Sequence, residues 1–183
     1  YVDPDRGFFL NGKSVPLRGV SRHQDRLGKG NALIELDHFD DLDLITDVGA
    51  NSVRLAHYQQ DDYFYELCDR YGLVVWAEIP FISRMNKDTK AHDNAMDQMK
   101  ELIYQNYNHS SICFWGISNE ITIAGDIPGL TENLRELDEL VKSIDKTRLT
   151  TMAQVSMLPM DSEHNQITDI LAYNLYFGWY GGK

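Results

Sequence analysis

The stretch Ile112-Cys113-Phe114-Trp115-Gly116-Ile117-Ser118-Asn119-Glu120 is an apolar run without polar alternation that ends in two polar side chains. A run of this kind reads as a strand buried on both faces. Five further short apolar runs share its character: Leu17–Val20, Ser52–Ala56, Leu73–Ala77, Leu149–Ala153 and Ile170–Leu175. Helical patterns separate most of them, expected at Ile34–Val48, Asp62–Tyr71, Asp93–Tyr107 and Leu130–Ile144. The first carries Leu36, Phe39, Leu42, Ile45 and Val48 in one stripe of three-residue steps, and Gly49 stands where a glycine would end it. Between the fifth and sixth runs the helical signal is weak.

Strand and helix in strict alternation imply parallel pairing with right-handed crossovers. An open doubly wound sheet and a closed barrel both satisfy this. No G-x-G-x-x-G follows the first strand, so a dinucleotide site loses support. Polar residues instead follow several different strands: Arg22-His23, His57-Tyr58, Glu78, Asn119-Glu120, Asn174 and Tyr176. Groups converging from the C-terminal ends of many strands are what a barrel mouth requires. The expected fold is therefore α/β, a TIM-type (β/α)₈ barrel with about six of its eight units. Residues 1–183 are read as one partial barrel domain. Residues 1–17 form a leading hairpin, Phe8–Leu10 against Val15–Leu17 around the turn-forming Asn11-Gly12. A six-stranded piece exposes two strand edges, so self-association through them is expected.

The formal net charge of −11 argues against nucleic acid and anionic membranes as partners, because both need clustered Lys and Arg. No apolar run is long enough to span a bilayer. The start, Tyr1-Val2-Asp3-Pro4, shows no basic segment followed by an apolar one, so no signal peptide is expected within this chain. The compartment stays open between cytoplasm and periplasm. Both ends read as cut, with no initiator Met at one and no closing helix after Trp179-Tyr180-Gly181-Gly182-Lys183 at the other. Cys68 and Cys113 lie in separate elements and form no C-x-x-C pair, which points to two free thiols rather than a metal or redox centre.

Glu120 is the leading candidate for chemistry. A carboxyl group at a barrel mouth, beside Trp115 and other apolar walls, is suited to general acid catalysis, because partial desolvation favours its protonated form. A strand-end Glu capping the next helix is the alternative. The wider sequence resembles glycoside hydrolase family 2, which contains β-galactosidases, β-glucuronidases and β-mannosidases. Asn108-His109-Ser110-Ser111-Ile112 through Trp115-Gly116 to Asn119-Glu120 is similar to its acid/base signature. Asn51-Ser52-Val53-Arg54-Leu55-Ala56-His57-Tyr58 with Cys68-Asp69-Arg70-Tyr71-Gly72 resembles its other hallmark. Asn11-Gly12-Lys13 and Arg18-Gly19-Val20-Ser21-Arg22-His23-Gln24-Asp25 resemble the start of its barrel, and Gly19–Asp25 looks closest to the β-galactosidase branch.

The resemblance implies roles. Glu120 would be the acid/base and Asn119 would bind the hydroxyl next to the anomeric carbon. Arg54 would favour ionisation of a nucleophile, and Tyr176 would hydrogen-bond that group. His23 and His57 would contact the sugar, and Trp179 would stack on it or fill a core. Glu78 suits an acidic site position and a structural ion pair equally. Some family members bind magnesium through a Glu and a His after strand three; Ile82 and Arg84 stand there, so neither metal nor cofactor is expected. The family carries its nucleophile after strand seven. The expected activity is thus retaining hydrolysis of terminal β-galactosides, with the nucleophile lying outside this chain and little turnover by the chain alone. A β-glucuronidase, another family 2 specificity, or a non-catalytic carbohydrate-binding remnant are the alternatives.

Overall fold

The structure, a computed structural model, describes residues 1–180. Gly181, Gly182 and Lys183, read above as the abrupt end of the partial barrel, lie outside the described residues.

The chain opens with a small antiparallel sheet of β1 (Val2–Asp3), β2 (Gly7–Leu10) and β3 (Lys13–Ser14). Asn11 and Gly12 both take positive φ, 51° and 77°, as a two-residue turn between paired Leu10 and Lys13 needs. Pairing therefore starts at Lys13, two residues before the expected Val15. The Val15 amide still reaches the Phe8 carbonyl at 2.9 Å, and Pro16 has no N–H to continue the ladder.

The barrel strands are β4 (Gly19–Arg22), β5 (Ser52–Leu55), β6 (Val74–Glu78), β7 (Ile112–Asn119), β8 (Leu149–Val155) and β9 (Ile170–Asn174). They lie side by side in chain order, all parallel. This is the expected incomplete barrel: an open, six-stranded arc with helices on its outer face. The first strand begins two residues later than the sequence suggested. Gly19 pairs with Ser52, and a Cβ at Gly19 would lie 2.3 Å from Ser52 Oγ and 2.5 Å from its carbonyl oxygen. Only glycine permits so close an approach.

Four helices back the sheet: α1 (Glu35–Asp47), α2 (Asp62–Tyr71), α3 (Thr89–Asn106) and α4 (Leu130–Ile144). The weak signal before β9 resolves as one 3₁₀ turn, Glu163–Gln166. On α1 the three-residue stripe does not stay buried. Leu36 and Val48 are 63% and 73% exposed, while the buried line runs His38, Leu42, Ile45. A helix turns every 3.6 residues, so a three-residue step rotates off the core face within two turns. α2 matches its expected span; the Asp61 carboxylate accepts from the Tyr63 amide and Gly72 closes the helix at φ 71°. α3 starts four residues before the expected Asp93, where Asp88 accepts from the Lys90 amide. Its first turn holds no apolar residue larger than Ala91, so apolar periodicity could not reveal it. The core packs between sheet and helices, with Leu42, Phe64, Tyr65, Met99, Ile103, Trp115, Leu134 and Leu137 all fully buried.

Candidate active site

Alternate residues of a strand face alternate sides of a sheet. On β5 to β7 one set, Ser52 and Arg54, Val74, Trp76 and Glu78, Phe114 and Gly116, lines the concave side. Trp115, between two of these, faces the helices instead, and its indole N–H donates to Asp145 Oδ2 at 2.9 Å. The expectation that Trp115 walls Glu120 is corrected by this parity. A register shift between Gly116 and Asn119 then brings Asn119 back to the mouth, opposite Ala153.

Glu120 leaves the strand with φ 47°, an uncommon conformation for a side-chain-bearing residue that turns the chain sharply. Its amide is pinned to the Ala153 carbonyl at 2.7 Å. Its Oε1 accepts from Asn174 Nδ2 at 2.9 Å. Asn174, at the end of β9, also donates to Asn119 Oδ1 at 3.0 Å and accepts from Arg54 Nη1 at 3.1 Å. Arg54 Nη2 reaches Asn119 Oδ1 at 2.7 Å. The guanidinium meets Glu78 as a fork, Nε to Oε2 at 2.9 Å and Nη2 to Oε1 at 3.0 Å. It lies 4.5 Å over the Trp76 ring. Glu78 is fully buried, and His57 Nδ1 hydrogen-bonds its Oε1.

Arg54, His57, Asn119 and Glu120 are thus brought into one network. His23 is exposed and stands at the rim with its ring edge-on to His57, centroids 5.2 Å apart. Tyr176 is close enough to Glu120 for that carboxylate to matter: burial first, then the Glu120 charge, raises its phenol above the ordinary range. Trp179 is 79% exposed and packs against Tyr180 rather than joining the network. Two members were underweighted in the sequence. Glu78 resolves as an ion pair inside the cluster, and Asn174 links Glu120 to Arg54. Both were visible as polar residues at strand ends, but nothing in the sequence paired them.

Beside Glu120 opens a cavity of about 420 Å³, walled by Ile123, Met157, Leu175, Tyr176, Phe177 and Tyr180. One side of the carboxyl group therefore meets a polar network and the other an apolar hollow. The remaining histidines are structural: His38 bonds Arg22 at 2.9 Å, His109 bonds Asp69 at 2.7 Å, His92 bonds Glu136, and His164 is buried. Among the described residues no group of three or more His, Cys, Asp or Glu is placed to hold a metal ion, and no helix is long and apolar enough to cross a membrane.

A parallel barrel wall whose strand ends gather a carboxyl group, amides and an Arg–carboxylate pair defines a (β/α)-barrel enzyme domain of the glycosidase class. More narrowly, the chain belongs to glycosyl hydrolase family 2: the family model for its TIM barrel domain matches residues 4–183. A β-glucuronidase of Bacteroides fragilis is 47% identical over 99% of this chain and 26% of its own length. The solved FMN-binding β-glucuronidase from Facaelibacterium prausnitzii L2-6 superposes with a TM-score of 0.97 at 55% identity, over 100% of this chain and 28% of that one. A structure described as a putative β-galactosidase from Bacteroides fragilis gives 0.87 at 44% identity, over 97% and 26%. The chain spans about a quarter of the length of these relatives.

Proposed function

We propose that the protein containing this barrel segment is a retaining glycosidase acting on β-glucuronides, with Glu120 as its acid/base. The observation that carries the chemistry is the position of Glu120 between the Asn119–Asn174–Arg54 network and the apolar cavity. The sugar occupies the polar side, with Asn119, His57 and His23 on its hydroxyls, and Glu120 protonates the oxygen leaving toward the cavity. An apolar, partly aromatic leaving group suits Ile123, Met157, Phe177 and Tyr180. Trp179 lies outside that wall and would reach a sugar only by turning inward.

The mechanism needs two carboxylates, about 5–5.5 Å apart, one giving the proton and one attacking the anomeric carbon. Glu78 is unsuited to the second role. Both its oxygens are engaged by Arg54 and one also by His57, and it has no exposed surface. The nucleophile therefore comes from outside the described residues, and Tyr176 and Arg54 are the groups here that would meet it.

The β-galactoside expectation gives way to a β-glucuronide. The relatives with the highest identities reported above are β-glucuronidases, at 55% and 47%. The substrate's own carboxylate needs a cation, and Arg54 is largely committed elsewhere, since four of its five N–H groups go to Glu78, Asn119 and Asn174.

The test uses the whole protein with 4-nitrophenyl and alkyl glycosides. The glucuronide is expected to exceed the galactoside in kcat/KM. Glu120→Gln is expected to cut turnover of an alkyl glucuronide by about 10²- to 10⁴-fold, the range of general acid catalysis, and to spare formation of the glycosyl-enzyme from 4-nitrophenyl glucuronide, whose leaving group needs no proton. Faster cleavage of the galactoside would sink the substrate reading. Equal losses with both leaving groups in that first step would sink the role of Glu120.

A further inference from the structure

Within this glycosidase reading, on which the inference rests, we propose that Glu78 is a positioning residue: its carboxylate neutralises and aims Arg54 and fixes the ring of His57, so that the network reaches Glu120 as hydrogen bonds without an uncompensated positive charge.

The geometry leaves Glu78 no other occupation. It is wholly buried in the concave wall and accepts from Arg54 twice and from His57 once. A fork-on-carboxylate pair fixes the guanidinium plane as well as its position. That plane lies over Trp76 and leaves Nη1 and Nη2 directed at Asn174 and Asn119. Asn174 in turn donates to Glu120. Every link from Glu78 to the acid is therefore a directional hydrogen bond, and moving the first moves the last.

The same carboxylate decides the tautomer of His57. Nδ1 is in short contact with Glu78 Oε1, whereas its separation from Arg54 Nη2 is 3.4 Å. A single ring nitrogen cannot donate to one and accept from the other. The shorter contact wins, so Nδ1 carries the proton and donates to Glu78. Nε2 remains for the sugar, as an acceptor in the neutral ring.

The packing is built around this carboxylate. Gly116 faces it across the strand pair, and a Cβ there would lie 2.5 Å from Glu78 Cβ and 3.1 Å from its Oε2. The groups that face Glu78 are Arg54 and His57 from β5 and its end, Trp76 on its own strand, and the side-chain-free Gly116 on β7. Asn119, Glu120, Asn174 and Tyr176 follow in the next layer, and His23 stands behind His57. Arg54 is the strong cation of that set. Without the Glu78 charge its field falls undiminished on Glu120 and on any carboxylate nucleophile beside it.

Glu78→Gln keeps the size and removes the charge. Both carboxylates of the reaction then hold their ionised forms to lower pH. The acid must be protonated for the first step, so the alkaline limb of the kcat/KM profile moves down, by about one pH unit for one charge roughly 10 Å away in a protein interior. The acidic limb moves the same way. Turnover falls more than tenfold, with KM changed less. Glu78→Asp keeps the charge but shortens the reach, so it lowers kcat with the limbs in place. If Glu78→Gln does not fold, Glu78→Asp alone decides: kcat within about twofold of the parent would overturn the proposal.

Hydrolysis of 4-nitrophenyl β-glucuronide by the unmodified protein is measured first, so failure of the glycosidase reading shows there and failure of this one only in the variants. A second readout needs no turnover. In ¹⁵N-histidine-labelled protein, with His57 assigned by its loss in His57→Gln, the parent shows the Nδ1–H form and Glu78→Gln loses that preference. A folded Glu78→Gln whose pH limbs superimpose on the parent's, or a His57 ring protonated on Nε2 in the parent, would overturn the proposal.

Discussion

Replacing Gly116 by alanine should disable the site more than it destabilises the fold. The added methyl would sit 2.3 Å from Trp76 Nε1 and 2.5 Å from Glu78 Cβ. Carbon contacts are comfortable at about 3.5–4.0 Å, so more than an ångström must be found. Neither neighbour yields readily. Trp76 lies beneath the Arg54 guanidinium, and the Glu78 Cβ is tied to the backbone of β6, which is paired to β7. Strand separation or a swing of Glu78 is required, and overpacking of this kind costs about 1–3 kcal/mol. For a domain of this size that lowers Tm by about 2–12 °C. The swing shifts the fork on Arg54, and a misplacement of about 1 Å in catalytic geometry costs about 10²-fold. Tm by calorimetry and kcat/KM on an aryl glucuronide, both on the whole protein, give the two numbers. Ile117→Val is the comparison: Ile117 is fully buried on the helix side, and its truncation should cost about 0.5–1.5 kcal/mol without loss of turnover well below the melt. Gly116→Ala with kcat/KM within about twofold of the parent, or a loss matched by Ile117→Val, would refute the reasoning.

Two other outcomes concern the scaffold. Burial pushes the Cys68 thiol up to about 12 and raises Cys113 as well, so neither should react promptly with an aromatic disulfide at pH 8, and both should react after denaturation; rapid stoichiometric labelling of the native protein would contradict this. At Asp145, burial alone would raise the carboxyl, but hydrogen bonds from Thr147, Arg148 and Trp115 outweigh it and hold the group well below the usual range. A depressed folded value means stability that is present above the unfolded value of about 3.9 and is lost as pH falls through the folded one. Asp145→Asn should therefore cost about 1–3 kcal/mol near neutrality, and the deficit should narrow below about pH 4. Parallel stability-against-pH curves for the two proteins would rule this out.

The six strands were legible as short runs rich in apolar residues between helical patterns, most clearly β7, which is buried along nearly its whole length and ends at Asn119 with Glu120 directly after it. Helix starts were less legible where the cap was polar and the first turn carried no large apolar residue, as at Asp88-Thr89. The pairing of Glu78 with Arg54 and His57 was not readable, because pairing depends on strand register and on which face each residue takes. The sequence leaned to a β-galactoside on Gly19–Asp25, whereas the relatives match β-glucuronidases more strongly. Gly19 is required by Ser52, and Arg22 is spent on Asp41, Gln60 and His38, so both of these residues report on how the barrel is built.

The bond from Arg54 to Asn174 joins residues 120 apart in the chain. It runs as a chord across the arc, from the second barrel strand to the sixth. Contacts between such distant segments carry a large loop-closure cost and form after local ones. The bond that orients the Glu120 carboxyl group likewise comes from a residue 54 positions further along the chain. Weakening the pairing of β9 with β8 would therefore loosen the Asn174 bonds to Asn119 and Glu120 together.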